Sequence, residues 1–571
     1  MTSISARAAT APLDDPRYYL ANFRFVLDWV AKRHADLLAT PERAFLEAFM
    51  ALPEASQALL VRMVMRRGEH FRTSRLVYAE IGDTETALAP LVEADFVDAD
   101  PALDIATLFA QLRLPELRQA LAGEIAAAEL SPGLSKAALN AALAPRLDDS
   151  RRLTDWWPAA PDRVVRLAVM ATCDRLRLMF FGNLRQDWAE FVLAELGVQR
   201  FESVTFTHDS RAFRSRREVD AYLALHRLRE RLDAGESAAE LKAELPEMPA
   251  NNAWLMAHRD RLCLALGRQA EREGEVELAL SLYAEAGWNE GASSEARIRR
   301  LRLLERQGRH AEALALARPL VQDSQACTGA EAQALDRLLP RLARRLGEPV
   351  APRLPEPVPE RFTLELDPMG ASLGVERAVA DHLHRDAAPV YYVENALING
   401  LFGLLCWEAL FAPLPGAFFH PFHVAPADLY REDFVTRRRA HFAACLALLD
   451  DDSHAAAIRA TWREKRGLAS PFVHWETLDE ALIELALACV PAAHLRACFE
   501  RLLGDLKGNR AGLPDLVQFR PQAAAGEPRY RLIEVKGPGD RLQDNQRRWL
   551  SFFIAQDMPA AVCHVRWWGM S

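Results

Sequence analysis

Apolar positions recur at helical spacing over most of the chain. Tyr19, Phe23, Val26, Leu27 and Val30 lie on one face of a stretch that reads as helical through residues 16–90. Leu114–Leu121 predicts a short amphipathic helix. After the Ser131-Pro132-Gly133 turn, a second carries Leu139, Leu143 and Leu147. From about 160 to 346 the sequence is rich in Ala, Leu, Arg and Glu at the same spacing. Pro349, Pro352, Pro355, Pro357 and Pro359 then predict a stiff connector. Beyond it a long apolar helix is expected over about 391–411. The period changes near the end: Leu516–Phe519, Tyr530–Lys536 and Ala561–Trp567 read as strands, with a helix over 541–556 before the last. Strands flanked by helices on an otherwise helical chain predict a mostly α multidomain protein ending in an α/β domain.

Two local patterns subdivide the helical part. Gly274-Glu275-Val276-Glu277-Leu278-Ala279-Leu280 recurs 34 residues later as Gly308-Arg309-His310-Ala311-Glu312-Ala313-Leu314, which is the tetratricopeptide period. Two copies are fewer than a free-standing array needs, so the segment reads as a degenerate, TPR-like helical solenoid. Holding neighbouring domains is the simpler role for it, and peptide capture the alternative. The helix pair within 105–147 resembles a SAP-type helix-extended-helix module, a family that binds duplex DNA. The expected boundaries are an N-terminal helical DNA-binding region at 1–95, a SAP-like module at 96–150, the solenoid at 151–348, a Pro-rich linker at 349–360 and the α/β domain at 361–571.

Composition narrows the function. Half of the 571 residues are apolar, which excludes global disorder. The net charge of -9 argues against a protein coated in positive charge, although a local basic groove needs only a patch. No stretch approaches the roughly 18–20 uninterrupted apolar residues that span a bilayer, and the N-terminus has no apolar signal core. Eight cysteines lie scattered without a C-x-x-C pair, so a reducing cytoplasm is expected. Arg62, Arg66, Arg67, Arg72 and Arg75 form a basic run, and Arg214, Arg216 and Arg217 a second. Each reads equally as a solvated face or a phosphate-contacting surface. No phosphate-binding G-x-x-x-x-G-K-[ST] loop occurs. His420 and His423 are separated by a proline with no cysteine nearby, which argues against zinc.

The chemistry concentrates in Gly512-Leu513-Pro514-Asp515 and, after eighteen intervening residues, Glu534-Val535-Lys536. Asp515 enters one strand. Glu534 and Lys536 point the same way from the next, because side chains alternate. Two carboxylates one strand apart supply oxygen ligands for a hard cation such as Mg²⁺ or Mn²⁺. A lysine beside them can orient an attacking water and stabilise developing phosphate charge. Taken separately, a Pro-Asp pair is an ordinary turn and an E-x-K strand two solvated charges.

The surrounding residues add specificity. Glu534-Val535-Lys536-Gly537-Pro538-Gly539-Asp540-Arg541-Leu542, continuing to Gln546 and Trp549, resembles the VRR-NUC branch of the PD-(D/E)xK nucleases. With Arg510-Ala511-Gly512-Leu513-Pro514-Asp515 before it, the run is similar to the Fanconi-associated nucleases in their bacterial form. That resemblance marks Glu394, in Tyr392-Val393-Glu394-Asn395, as a third metal-site acid opening the 391–411 helix. There it would share a face with Leu397, Ile398, Leu401 and Leu405. It implies that Glu394, Asp515, Glu534 and the Val535 carbonyl hold Mg²⁺ or Mn²⁺, that Lys536 positions water and that Gln546 braces the site. It also implies a basic pocket for a 5′-terminal phosphate, with Lys507 and Arg510 as candidates and Arg214, Arg216, Arg62, Arg66 and Arg72 as further DNA contacts.

The activity implied is metal-dependent incision of branched or 5′-flap DNA and 5′-to-3′ exonuclease action. The same resemblance implies interstrand-crosslink repair, in the cytoplasm at the nucleoid. A Holliday-junction resolvase and a non-catalytic scaffold are the alternatives. No Cys/His set for the ubiquitin-binding zinc finger of eukaryotic relatives occurs in the sequence. From 361 to 571 there are 23 Lys+Arg against 26 Asp+Glu, so DNA would be met by local clusters.

Overall fold

The computed structural model describes residues 16–186, 188, 200–249, 252–287, 293–322, 329–350, 357–367 and 374–568. The chain divides into two compact units. One comprises residues 7–199 with 211–219, and the other residues 200–210 with 220 onward. No single helix among the described residues is long and apolar enough to cross a membrane.

In the first unit, the helices Tyr18–Arg33, Thr40–Ala51 and Glu54–Val64 bury their apolar faces together, with the Phe23 and Phe49 rings 5.3 Å apart. The expected helical stretch is interrupted by β1 (His70–Arg72), which pairs antiparallel with β5 (Val164–Leu167). β5 also pairs with β2 (Val97–Asp98), giving the order β1-β5-β2. Strands of two to four residues are too short to register as a period. Their pairing draws β5 into this unit, downstream of position 151, where the solenoid was expected to begin.

Between β2 and β5, the strands β3 (Ala102–Leu103) and β4 (Arg151–Arg152) bracket the SAP-like helices. The helix Leu114–Ala120 buries Leu117, and Lys136–Leu143 buries Leu139 and Leu143. Ser135 starts the latter by accepting the Ala138 amide, and Trp156 Nε1 closes the small core by donating to the Leu103 carbonyl at 3.0 Å.

In the second unit, Ala253–Glu273, Val276–Gly287, Ser294–Arg306, His310–Gln322 and Gly329–Arg345 stack as consecutive helices. Gly274 and Gly308 occupy equivalent inter-helix turns, both left-handed at φ +83° and +74°. The 34-residue repeat is therefore a repeat of structure. A buried Arg297–Glu331 pair at 2.7 Å ties two of its helices together.

The C-terminal sheet has the order β6-β10-β9-β8-β7: Glu360–Leu366, Ala560–Trp567, Tyr530–Lys536, Leu516–Phe519 and Val390–Tyr392. β6, β10 and β9 run parallel, whereas β8 runs antiparallel to both of its neighbours, β9 and β7. Val379 and Ala380 of the helix Val375–Leu383 pack in one core with Leu516, Ile533 and Val535 of the sheet. The three strands read from the sequence are present. β6 was missed because it is an edge strand with exposed charges directly after the prolines, and β7 because it has three residues. β7 also takes the start of the expected 391–411 helix, which begins only at Ala396 and breaks at Cys406.

Candidate active site

β8 and β9 are neighbours with Leu516 opposite Ile533, so Asp515, one residue before β8, meets the end of β9. Asp515 Oδ2 accepts the Val535 amide at 2.8 Å. The Asp515 carbonyl accepts the amides of Val393 at 2.8 Å and Glu394 at 2.9 Å, just past β7. One residue thereby fastens three strand ends. The turn leading to it lies directly on the helix Asp544–Ala555. Gly512 has φ +89°, and a Cβ there would sit 2.7 Å from the Asn545 backbone carbon. Only glycine permits both.

Glu534 is 0% exposed, and Lys536 beside it on the strand places Nζ 2.7 Å from Oε1. Apart from that ion pair, neither Glu534 oxygen has a hydrogen-bond partner. Burial, reinforced by the Asp515 charge, pushes the Glu534 carboxyl up to about 7 against the pull of Lys536. Burial likewise raises Asp515 to about 6, with the Val535 amide and Lys536 opposing and Glu376 and Glu394 adding repulsion. Two crowded acids, one of them buried with no hydrogen-bond partner beyond its lysine ion pair, fit a divalent cation, which would satisfy lone pairs and field together.

Glu394 differs from expectation. It precedes the helix rather than lying on it, its side chain is exposed, and its backbone is left-handed at φ +36°. Glu394 therefore lies on no buried helical face. Its Oε2 instead accepts from Tyr392 Oη at 2.8 Å and its Oε1 from Asn395 Nδ2 at 3.3 Å. Asp515 and Glu534 are brought together and Glu394 borders them. Among the described residues, no three His, Cys, Asp or Glu side chains close a complete metal cage. Sequence reasoning missed Glu376, on the first turn of Val375–Leu383, whose charge acts on Asp515, Glu534 and Tyr392. A lone acid at a helix start carries no motif, and only the fold brings it to the site.

Gln546 meets its own helix start in this structure. Its Oε1 accepts the Gln543 amide at 2.9 Å, capping its own helix. Trp549 is core, with Nε1 donating to the Asn509 carbonyl at 3.1 Å. Lys507 is exposed on the short helix Leu506–Asn509. Arg510 is engaged elsewhere, its guanidinium donating to Tyr430 Oη and the Pro471 carbonyl.

Most of the expected DNA-contacting arginines have internal partners. Arg72 is 5% exposed and pairs with Glu116 and Asp162 at 2.7 Å each. Arg62 pairs with Glu80 over the Tyr19 ring, and Arg66 donates to the Arg75 carbonyl. Arg216 pairs with Glu42 at 2.6 Å. Arg214 is exposed. His420 and His423 accept the amides of Phe422 and Phe419, and burial holds both rings neutral, His423 at about 4.

A mixed sheet presenting an aspartate at one strand entrance and E-x-K on the next defines a nuclease domain of the PD-(D/E)xK type. Accordingly, the VRR-NUC domain family matches residues 449–567. Upstream, the families described as "FAN1, HTH domain" and "Fanconi anemia-associated nuclease SAP domain" match 17–98 and 102–156. The chain is 53% identical over 555 residues to the Fanconi-associated nuclease 1 homolog of Pseudomonas aeruginosa, covering 97% of each. It is 25% identical over 612 residues to that of Arabidopsis thaliana, covering 97% of this chain and 67% of the plant protein. A crystal structure of paFAN1 bound to 2-nt 5′-flap DNA with a gap superimposes with a TM-score of 0.90 at 52% identity, over 98% of this chain and 100% of that one. The chain belongs to the Fanconi-associated nuclease family. It is a DNA nuclease of mostly helical architecture with HTH, SAP and VRR-NUC parts, and its nuclease class depends on divalent metal.

Proposed function

We propose that the protein cuts DNA near 5′ ends and 5′ flaps, using Mg²⁺ or Mn²⁺ held by Glu394, Asp515, Glu534 and the Val535 carbonyl. The observation that carries this reading is the buried Glu534 carboxylate beside Asp515, with no hydrogen-bond partner apart from its ion pair with Lys536. The likeness to the flap-bound paFAN1 structure supports the substrate class. When bound, the metal supplies Lewis-acid polarisation of the phosphate and a more acidic water. Lys536 would orient an attacking water in line with the scissile bond and offset charge developing on the phosphate oxygens. The Val535 amide holds Asp515 Oδ2 fixed, so the ligand oxygens need not reorganise. Hydrolysis in this sense leaves a 3′ hydroxyl and a 5′ phosphate. Lys507, exposed and eight residues before Asp515, is suited to a terminal phosphate, and Arg214 is a more remote DNA contact. Interstrand-crosslink repair is the process this activity serves.

The test is cleavage of an end-labelled 5′-flap substrate with Mn²⁺ by wild type and Asp515→Ala. Loss of cutting in the variant is expected, and undiminished cutting overturns the metal assignment. A four-way junction in parallel separates flap incision from Holliday-junction resolution: preferential cutting of the junction overturns the flap reading.

A further inference from the structure

Glu394 occupies a backbone conformation that side chains rarely adopt, and such strain persists only where surrounding contacts over-determine it. The contacts are specific. Its amide is bonded to the Asp515 carbonyl, and both oxygens of its carboxylate are taken up by neighbours in sequence, Tyr392 on Oε2 and Asn395 on Oε1. Tyr392 is 50% exposed, so packing does not account for an aromatic there, whereas its hydroxyl contact does. Asn395 works in two directions. While Nδ2 donates to Glu394, Oδ1 accepts the Leu513 amide at 3.2 Å, joining the Glu394 turn to the Leu513-Pro514-Asp515 turn. Beneath both, the buried Asn399 donates to the carbonyls of Asn395 at 2.7 Å and Arg510 at 2.8 Å. The two acid-bearing turns are therefore one hydrogen-bonded unit, and the Glu394 carboxylate has a set rotamer within it.

We propose that Tyr392 and Asn395 are positioning residues that orient Glu394 and so set the affinity of the site for a divalent cation. The inference rests on the reading of Glu394 as a ligand. Outer partners that fix a ligand's orientation typically change metal affinity by about 10–100-fold when removed. Tyr392→Phe deletes one hydroxyl from a half-exposed ring and leaves the fold's hydrogen-bonded turns intact, so it isolates orientation from stability. Asn395→Ala removes both the Glu394 contact and the link to Leu513.

The experiment is calorimetric titration of Mn²⁺ into the full-length protein without DNA, for wild type, Tyr392→Phe, Asn395→Ala, Glu394→Ala and the Tyr392→Phe/Glu394→Ala pair, with the metal-free Tm of each. Tyr392→Phe is expected to raise Kd about ten-fold at unchanged Tm, and Asn395→Ala to raise it at least as much. The double variant should match Glu394→Ala, because the hydroxyl acts only through that carboxylate. A Kd in Tyr392→Phe equal to or tighter than wild type overturns the inference, as does an additive loss in the pair. Unchanged Mn²⁺ affinity in Glu394→Ala itself overturns the ligand reading on which it rests.

Discussion

The Val535 amide donates to Asp515 Oδ2 at 2.8 Å, joining the entrance of one strand to the end of the next through the carboxylate of the nuclease motif. The bond stabilises the charged form, yet the Asp515 carboxyl still lies above its ordinary range because burial outweighs it. Structure and chemistry make opposing demands on the same side chain.

Asp515→Asn separates those demands. The amide oxygen keeps an acceptor for Val535 while the buried charge is removed, so the metal-free Tm at pH 8 should not fall. Flap cleavage with Mn²⁺ should drop by at least about a thousand-fold, the scale of losing a principal group of the catalytic unit. Differential scanning fluorimetry and a gel assay on one preparation read both.

The raised carboxyls set a pH signature. Asp515 and Glu534 titrate near 6 and 7 in the folded protein against 3.8 and 4.5 ordinarily. Between those values the folded state binds more protons than the unfolded one, so these groups make the metal-free protein less stable as pH rises toward about 7. Cation binding requires the deprotonated forms, so activity should fall as pH drops from 7 to below 6. In EDTA, Glu534→Gln should lower the Tm difference between pH 5.5 and 8, and excess Mn²⁺ should stabilise wild type more at pH 8.

Glu376 tests the field at the site. Its charge raises both carboxyls, so Glu376→Gln should move the acid limb of the cleavage profile to lower pH. An unmoved limb would show that its charge is screened from them.

Gly512→Ala places a Cβ against Asn545 in a left-handed turn. The backbone alone costs about 1–2 kcal/mol, and relieving the contact shifts the turn that carries Asp515. A lower Tm together with reduced cleavage is expected, measured on the purified variant.

The arginines separate by salt dependence. Arg72→Ala strands Glu116 and Asp162 and should destabilise by about 3–5 kcal/mol in urea unfolding. Lys507→Ala should leave stability unchanged and reduce the slope of log affinity against log salt for 5′-flap DNA by about one. An unaltered slope would remove Lys507 from the phosphate contacts.

Local pattern in the sequence determined the helical character, the 34-residue repeat, three of the five C-terminal sheet strands and the placing of Glu534 and Lys536 on one strand face. Each is encoded within a few residues by side-chain periodicity or turn chemistry. Only the tertiary structure decided which charges are free. Arg72 finds Glu116 44 residues away, and Arg216 finds Glu42 174 residues away, separations that no charge run reveals. It also decided that Gln546 caps a helix, that Glu394 sits on a strained turn rather than a buried helical face, and that Glu376 joins the site. The net charge of -9 behaves the same way: its sum is read from the chain, but the pairing that leaves Lys507 and Arg214 exposed depends on contacts between distant segments.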